Sequence, residues 1–188
     1  MRLFVAVELA EGVRAEAGRA AARLAEALGP SARGAVSWVA PANMHLTLRF
    51  LGEVAEPVAR ELEERLSGPF KTPAFRLAAA GFGAFPPSGP PRVFWLGLTA
   101  GAEELARVHD EVEERVSGLG FDKEDRPFRA HLTLGRVKAP LSGARRVIAS
   151  MPVEPVGECT VTQVTLFQSR LSPRGAVYTA LARGPLSE

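Results

Sequence analysis

The chain has 188 residues, 46% of them hydrophobic and 23% charged, with a formal net charge of +2. That length and balance suit one substantial globular domain or two small lobes sharing a core. The small net charge argues against a protein that coats long nucleic acid but leaves room for a local basic pocket, and no run approaches the roughly 18 apolar residues a membrane span requires.

Residues 2–8 alternate apolar and polar and read as a first strand rather than a signal peptide. Residues 11–28 carry Val13, Ala17, Ala21, Leu24 and Leu28 at helical spacing, and Gly29-Pro30 ends that helix. A short strand at 36–39 stops at Pro41. The strand 44–51 follows, broken by Gly52. Val54, Val58, Leu62 and Leu66 mark one face of a second helix, closed by Gly68-Pro69. Residues 75–82 read as a strand, 83–91 as a glycine- and proline-rich connection, and 92–98 as another strand. Leu105, Val108, Val112 and Val116 define a third helix, ended by Gly118 and Gly120. A charged loop at 121–126 leads to a strand at 128–138. Residues 139–157 are rich in proline and glycine, with a weak helical stretch at 144–150. Two closing strands, 160–168 and 176–182, pair through a Ser172-Pro173-Arg174-Gly175 turn. Strands with few helices and hairpin-like connections predict an α+β fold.

The tetrapeptide His-Leu-Thr-Leu occurs twice, at His45–Leu48 and His131–Leu134, and uses two of the chain's three histidines. In a strand, residues i and i+2 share a face, so each copy sets an imidazole beside a hydroxyl while its leucines point into a core. The copies occupy equivalent points of the two halves, which reads as a duplication with a pseudo-two-fold relation. Two such strands facing each other would gather two imidazoles and two hydroxyls in one pocket. An imidazole titrates near pH ~6.5, so one ring acts as base while the other acts as acid. Phosphodiester hydrolysis requires that pair, and threonine hydroxyls suit the non-bridging oxygens. No His-x-x-x-His, paired cysteines or acidic cluster lies near the repeats, so neither a metal nor another cofactor is expected.

These motifs resemble the 2H phosphoesterases, and among them the RNA 2′,3′-cyclic phosphodiesterases, also called 2′-5′ RNA ligases. The resemblance extends from Arg2–Ala6 through Trp38–Gly52, Pro91–Leu96 and Arg126–Arg136 to Leu166–Ser169 and Tyr178. It implies a bilobal, duplicated α+β fold: two antiparallel sheets around a central cleft, helices outside, and residues 1–188 forming one domain. It also implies His45 as proton donor to O3′, His131 as proton acceptor activating water, and phosphate contacts from Thr47 and Thr133. The implied reaction opens a 2′,3′-cyclic phosphate to a 2′-phosphate without metal, and its reverse joins RNA through a 2′-5′ linkage.

Arg136 matches an arginine the family carries just past the second motif. Strict alternation would turn it away from His131, unless Gly135 supplies a bulge. Alternation places Arg49 on the His45 face. Phe4, Phe50 and Phe128 are candidates for stacking on a base, and Arg126 and Arg129 for touching RNA backbone. His109 reads as a solvated helix residue. Cys159, unable to form an internal disulfide, points to a reducing cytoplasm. The expected partners are RNA with cyclic phosphate ends or small cyclic nucleotides, with no membrane and a monomer as default. The alternatives are a 2H phosphodiesterase for a small nucleotide cyclic phosphate and an RNA-end-binding module.

Overall fold

The computed structural model describes residues 1–122, 127–173 and 175–188. Arg126, most of the 121–126 loop and Arg174 of the expected turn lie outside the described residues. In chain order the elements are β1 (Arg2–Glu8), α1 (Glu11–Leu28), β2 (Val36–Trp38), β3 (His45–Glu53), α2 (Glu56–Ser67), β4 (Phe75–Phe85) and β5 (Val93–Ala100). Then come α3 (Ala102–Val116), β6 (Leu132–Val137), α4 (Ala144–Ser150), β7 (Pro155–Val161), β8 (Gln163–Ser172) and β9 (Gly175–Pro185).

The strands form two antiparallel sheets, ordered β3-β1-β8-β9 and β2-β6-β5-β4-β7. Apart from the extra edge strand β2, the orders correspond under a pseudo-two-fold: β3 to β6, β1 to β5, β8 to β4 and β9 to β7. The correspondence exchanges strands. The first half of the chain lends β2 and β4 to the second sheet, and the second half lends β8 and β9 to the first. Neither half supplies a whole sheet. α2 and α3 pack on the first sheet, and α1 and α4 on the second. Helical spacing dictates these contacts: α1 buries Val13, Ala17, Ala20, Ala21 and Leu24, and α2 buries Ala59, Leu62 and Leu66. One continuous apolar core joins both helix layers to both sheets. A small satellite cluster of Phe4, Ala6 and Phe167 lies apart from it, with Tyr178 packed alongside.

Several expectations change. β3 runs through Gly52, which takes a left-handed conformation (φ 71°), to Glu53. β4 continues to Phe85, into the expected connection. Residues 128–131 are not strand, so β6 begins at Leu132. One expected closing strand is two, with Thr162 the step between β7 and β8. β7 is a sheet edge carrying both Pro155 and Gly157, residues that read as loop.

His109 is buried, not solvated. It lies four residues after Leu105 and three before Val112, inside the buried stripe of α3, and its ring stacks on Phe128 at 4.4 Å. Cys159 is half-buried against the core.

Candidate active site

Each motif histidine is fixed in the same way. Nδ1 of His45 donates to the carbonyl of Asn43 (2.7 Å), and Nδ1 of His131 to the carbonyl of Arg129 (2.7 Å). A carbonyl oxygen only accepts, so Nδ1 carries the hydrogen in both rings and Nε2 is left to take or give a proton. The Asn43 carbonyl is itself well anchored. Asn43 sits in a 3₁₀ turn, Pro41–Asn43, and its side-chain amide donates to the carbonyl of Ala176 (2.8 Å). α1 presses on that turn at Gly18, where any Cβ would meet the Pro41 ring at 2.7 Å. Aromatic rings hold both imidazoles. His45 lies 4.8 Å from Phe4 and edge-on to Tyr178 at 5.3 Å; His131 is edge-on to Phe85 at 5.0 Å.

A bulge follows the threonine in each motif strand. Ala6 faces Thr47 and Val5 faces Arg49, leaving Leu48 extra; Trp95 faces Thr133 and Phe94 faces Gly135, leaving Leu134 extra. One additional residue reverses the alternation beyond it. In β6 the bulge turns Arg136 onto the cleft face. In β3 it does the same for Phe50, while Arg49 goes to the buried side. The expected placement of Arg49 beside His45 is therefore corrected. Its Nε pairs with Glu113 of α3 at 2.9 Å, and its guanidinium donates to the carbonyl of Asp122. Gly135 is required for close packing: a Cβ there would meet Trp38 Cε3 and Val36 Cγ1, each at 2.9 Å. Gly135→Val is expected to cost about 1–3 kcal/mol by overpacking, read as a Tm fall of roughly 2–4 °C per kcal/mol. An unchanged Tm would contradict this account of the bulge.

The cleft has a volume of about 600 Å³ and takes walls from both sheets. His45, Thr47, Thr133 and Arg136 line it, together with Phe4, Phe50 and Tyr178. His131 lines an adjoining hollow of about 290 Å³ instead, with Phe85, Trp95 and Phe128. The expected single pocket is thus two spaces, one for each histidine. They open on the same face of the second sheet, because Thr133 of the cleft sits directly opposite Trp95 of the hollow, and the Trp95 ring lies 6.4 Å from that of His131. Arg136 acts on both rings. Burial pushes the pKa of His45 and of His131 below the ordinary histidine range, and the Arg136 charge pushes both further, while the carbonyls of Asn43 and Arg129 oppose the fall.

Arg2, Asn43 and Ser169 also line the cleft and were not singled out by sequence reasoning. Arg2 was legible in principle, since it lies two residues before Phe4 on the same face of β1. Phe128 stacks on His109 with one face and lines the hollow beside His131, whereas Phe4 and Phe50 are at the cleft, Phe50 55% exposed.

A family model, LigT like Phosphoesterase, matches residues 9–95 and again 96–178, one match for each pseudo-symmetric half. The chain belongs to this phosphoesterase family. It is 39% identical over 181 residues to the RNA 2′,3′-cyclic phosphodiesterase of Archaeoglobus fulgidus, covering 96% of this chain and 98% of that protein. It is 42% identical over 141 residues to the Aeropyrum pernix protein of the same name, covering 74% and 80%. Among solved structures, E. coli LigT complexed with 3′-AMP superposes with a TM-score of 0.76 at 27% identity, covering 100% of this chain and 98% of that one.

Proposed function

We propose that this protein hydrolyses 2′,3′-cyclic phosphate ends of RNA to 2′-phosphates, with His45 and His131 as the acid–base pair. The observation that carries the reading is the matched setting of the two rings: same motif, same carbonyl lock on Nδ1, same aromatic support, and one arginine acting on both. Names of relatives across archaea and bacteria support the activity.

In this mechanism water attacks phosphorus as the P–O3′ bond breaks. Neutral His131 takes the water proton at Nε2, and the His45 imidazolium gives its Nε2 proton to O3′. Thr47, Thr133 and Arg136 donate to the non-bridging oxygens, where charge gathers. Solvent exchange then resets both rings. With a nucleoside hydroxyl in place of water, the same steps form a 2′-5′ linkage. No step calls on a metal, and among the described residues no three His, Cys, Asp or Glu side chains gather to hold one. Because each sheet takes strands from both halves, residues 1–188 act as one domain, and we read it as a cytoplasmic monomer. Among the described residues no helix is long and apolar enough to cross a membrane.

The test is an oligonucleotide ending in a 2′,3′-cyclic phosphate, incubated with the protein and excess chelator. The expected result is catalytic opening to the 2′-phosphate. Turnover that returns only with added divalent metal would overturn the scheme, and binding without turnover would favour an RNA-end-binding module.

A further inference from the structure

From the two spaces, one beside each motif histidine, we infer that the hollow beside His131 is a second nucleoside subsite, holding the nucleoside whose hydroxyl attacks or leaves opposite O3′. The inference rests on the proposed assignment of His131 to the nucleophile side. In an in-line displacement the entering and leaving oxygens lie on opposite sides of phosphorus. His45, with Phe4, Phe50 and Tyr178, then serves the ribose that carries O3′, and His131 faces the entering oxygen.

Water as nucleophile needs no walls, yet this space has them. Phe85, Trp95 and Phe128 line it, Arg129 stands at its edge, and Leu98, Ala102 and Ala106 complete it. Aromatic faces and an arginine are what a nucleobase stacks on. The Trp95 wall is built into the sheet: Gly83 lies opposite it on β4, and a Cβ at Gly83 would overlap the indole. The small side chains Ala102 and Ala106 leave the α3 side of the hollow open.

The step balances without any further reactant. In the joining direction the 5′-hydroxyl gives its proton to His131 Nε2 as the P–O5′ bond forms. The P–O3′ bond breaks, and O3′ takes the proton of His45. Cleavage of a 2′-5′ linkage is the reverse.

Two substrates separate this subsite from the rest of the site. Adenosine 2′,3′-cyclic phosphate has one nucleoside; a 2′-5′-linked diadenosine monophosphate has two. The wild-type protein is expected to turn over both. Filling the hollow from α3 with Ala106→Phe, or separately with Ala102→Phe, should lower kcat/KM for the dinucleotide at least ~10-fold relative to kcat/KM for the cyclic mononucleotide. A ratio unchanged in both variants would overturn the inference. So would hydrolysis of the cyclic mononucleotide with no cleavage of the dinucleotide, or equal losses on both substrates, which would assign the hollow to the cyclic nucleotide's own base. Failure of the wild-type protein on both substrates would instead sink the proposed function itself.

Discussion

His45→Ala and His131→Ala are each expected to lower kcat on a cyclic phosphate end by at least ~10²-fold, the usual worth of a positioned acid or base. The structure gives no reason to expect one loss to be mild. Both rings sit among aromatic side chains, both have Nδ1 committed to a carbonyl, and no other imidazole lines either space. The third histidine, His109, is stacked on Phe128 and stands in no position to substitute. The double variant should be little worse than the worse single one, because the two groups act in one step. Near-normal kcat in either single variant would refute the two-imidazole scheme.

Arg136→Met is the second large effect, with an expected loss of about 10²–10³-fold in kcat, comparable to removing one donor from a charge-stabilising site. It carries a second signature. Burial and, to a lesser degree, the Arg136 charge disfavour both imidazolium forms, so the wild-type kcat/KM profile should be a bell centred on the acidic side of the ordinary histidine range. Without that charge both pKa values rise, and both limbs of the bell move to higher pH. Arg136→Lys keeps the charge and loses the guanidinium fork, so its limbs should stay near the wild-type positions while kcat still falls. A pH–rate profile of the three proteins checks this. Limbs that do not move in Arg136→Met would separate Arg136 from the two rings.

Much of the architecture is legible in the sequence wherever one period dominates. Residues 11–28 read as a helix because alanine, valine and leucine repeat at helical spacing and Gly29-Pro30 stops it. The motif strands are legible because their leucines alternate with His and Thr. What escapes is set by single-residue events. The bulge at Leu48 reverses the fate of Arg49 and Phe50, and alternation has no means to foresee it. At Gly135 a glycine does signal the bulge, so the turn of Arg136 into the cleft is accessible to reasoning. β7 escapes because an edge strand tolerates proline and glycine that a central strand rejects. His109 is a different failure: its spacing from Leu105 and Val112 places it in the buried stripe, and its polarity masks that. The division of the site into two spaces escapes too, since it depends on Phe85, Trp95 and Phe128 closing around His131 from distant segments.

A structure of the protein with a bound nucleoside 2′-phosphate tests the central claim most directly. The account predicts one phosphoryl group between the two spaces, with Nε2 of His45 and Nε2 of His131 each about 2.6–3.2 Å from its oxygens and Arg136 beside it. A phosphate held by His45 and Thr47 alone, with His131 turned into its hollow and out of reach, would contradict it.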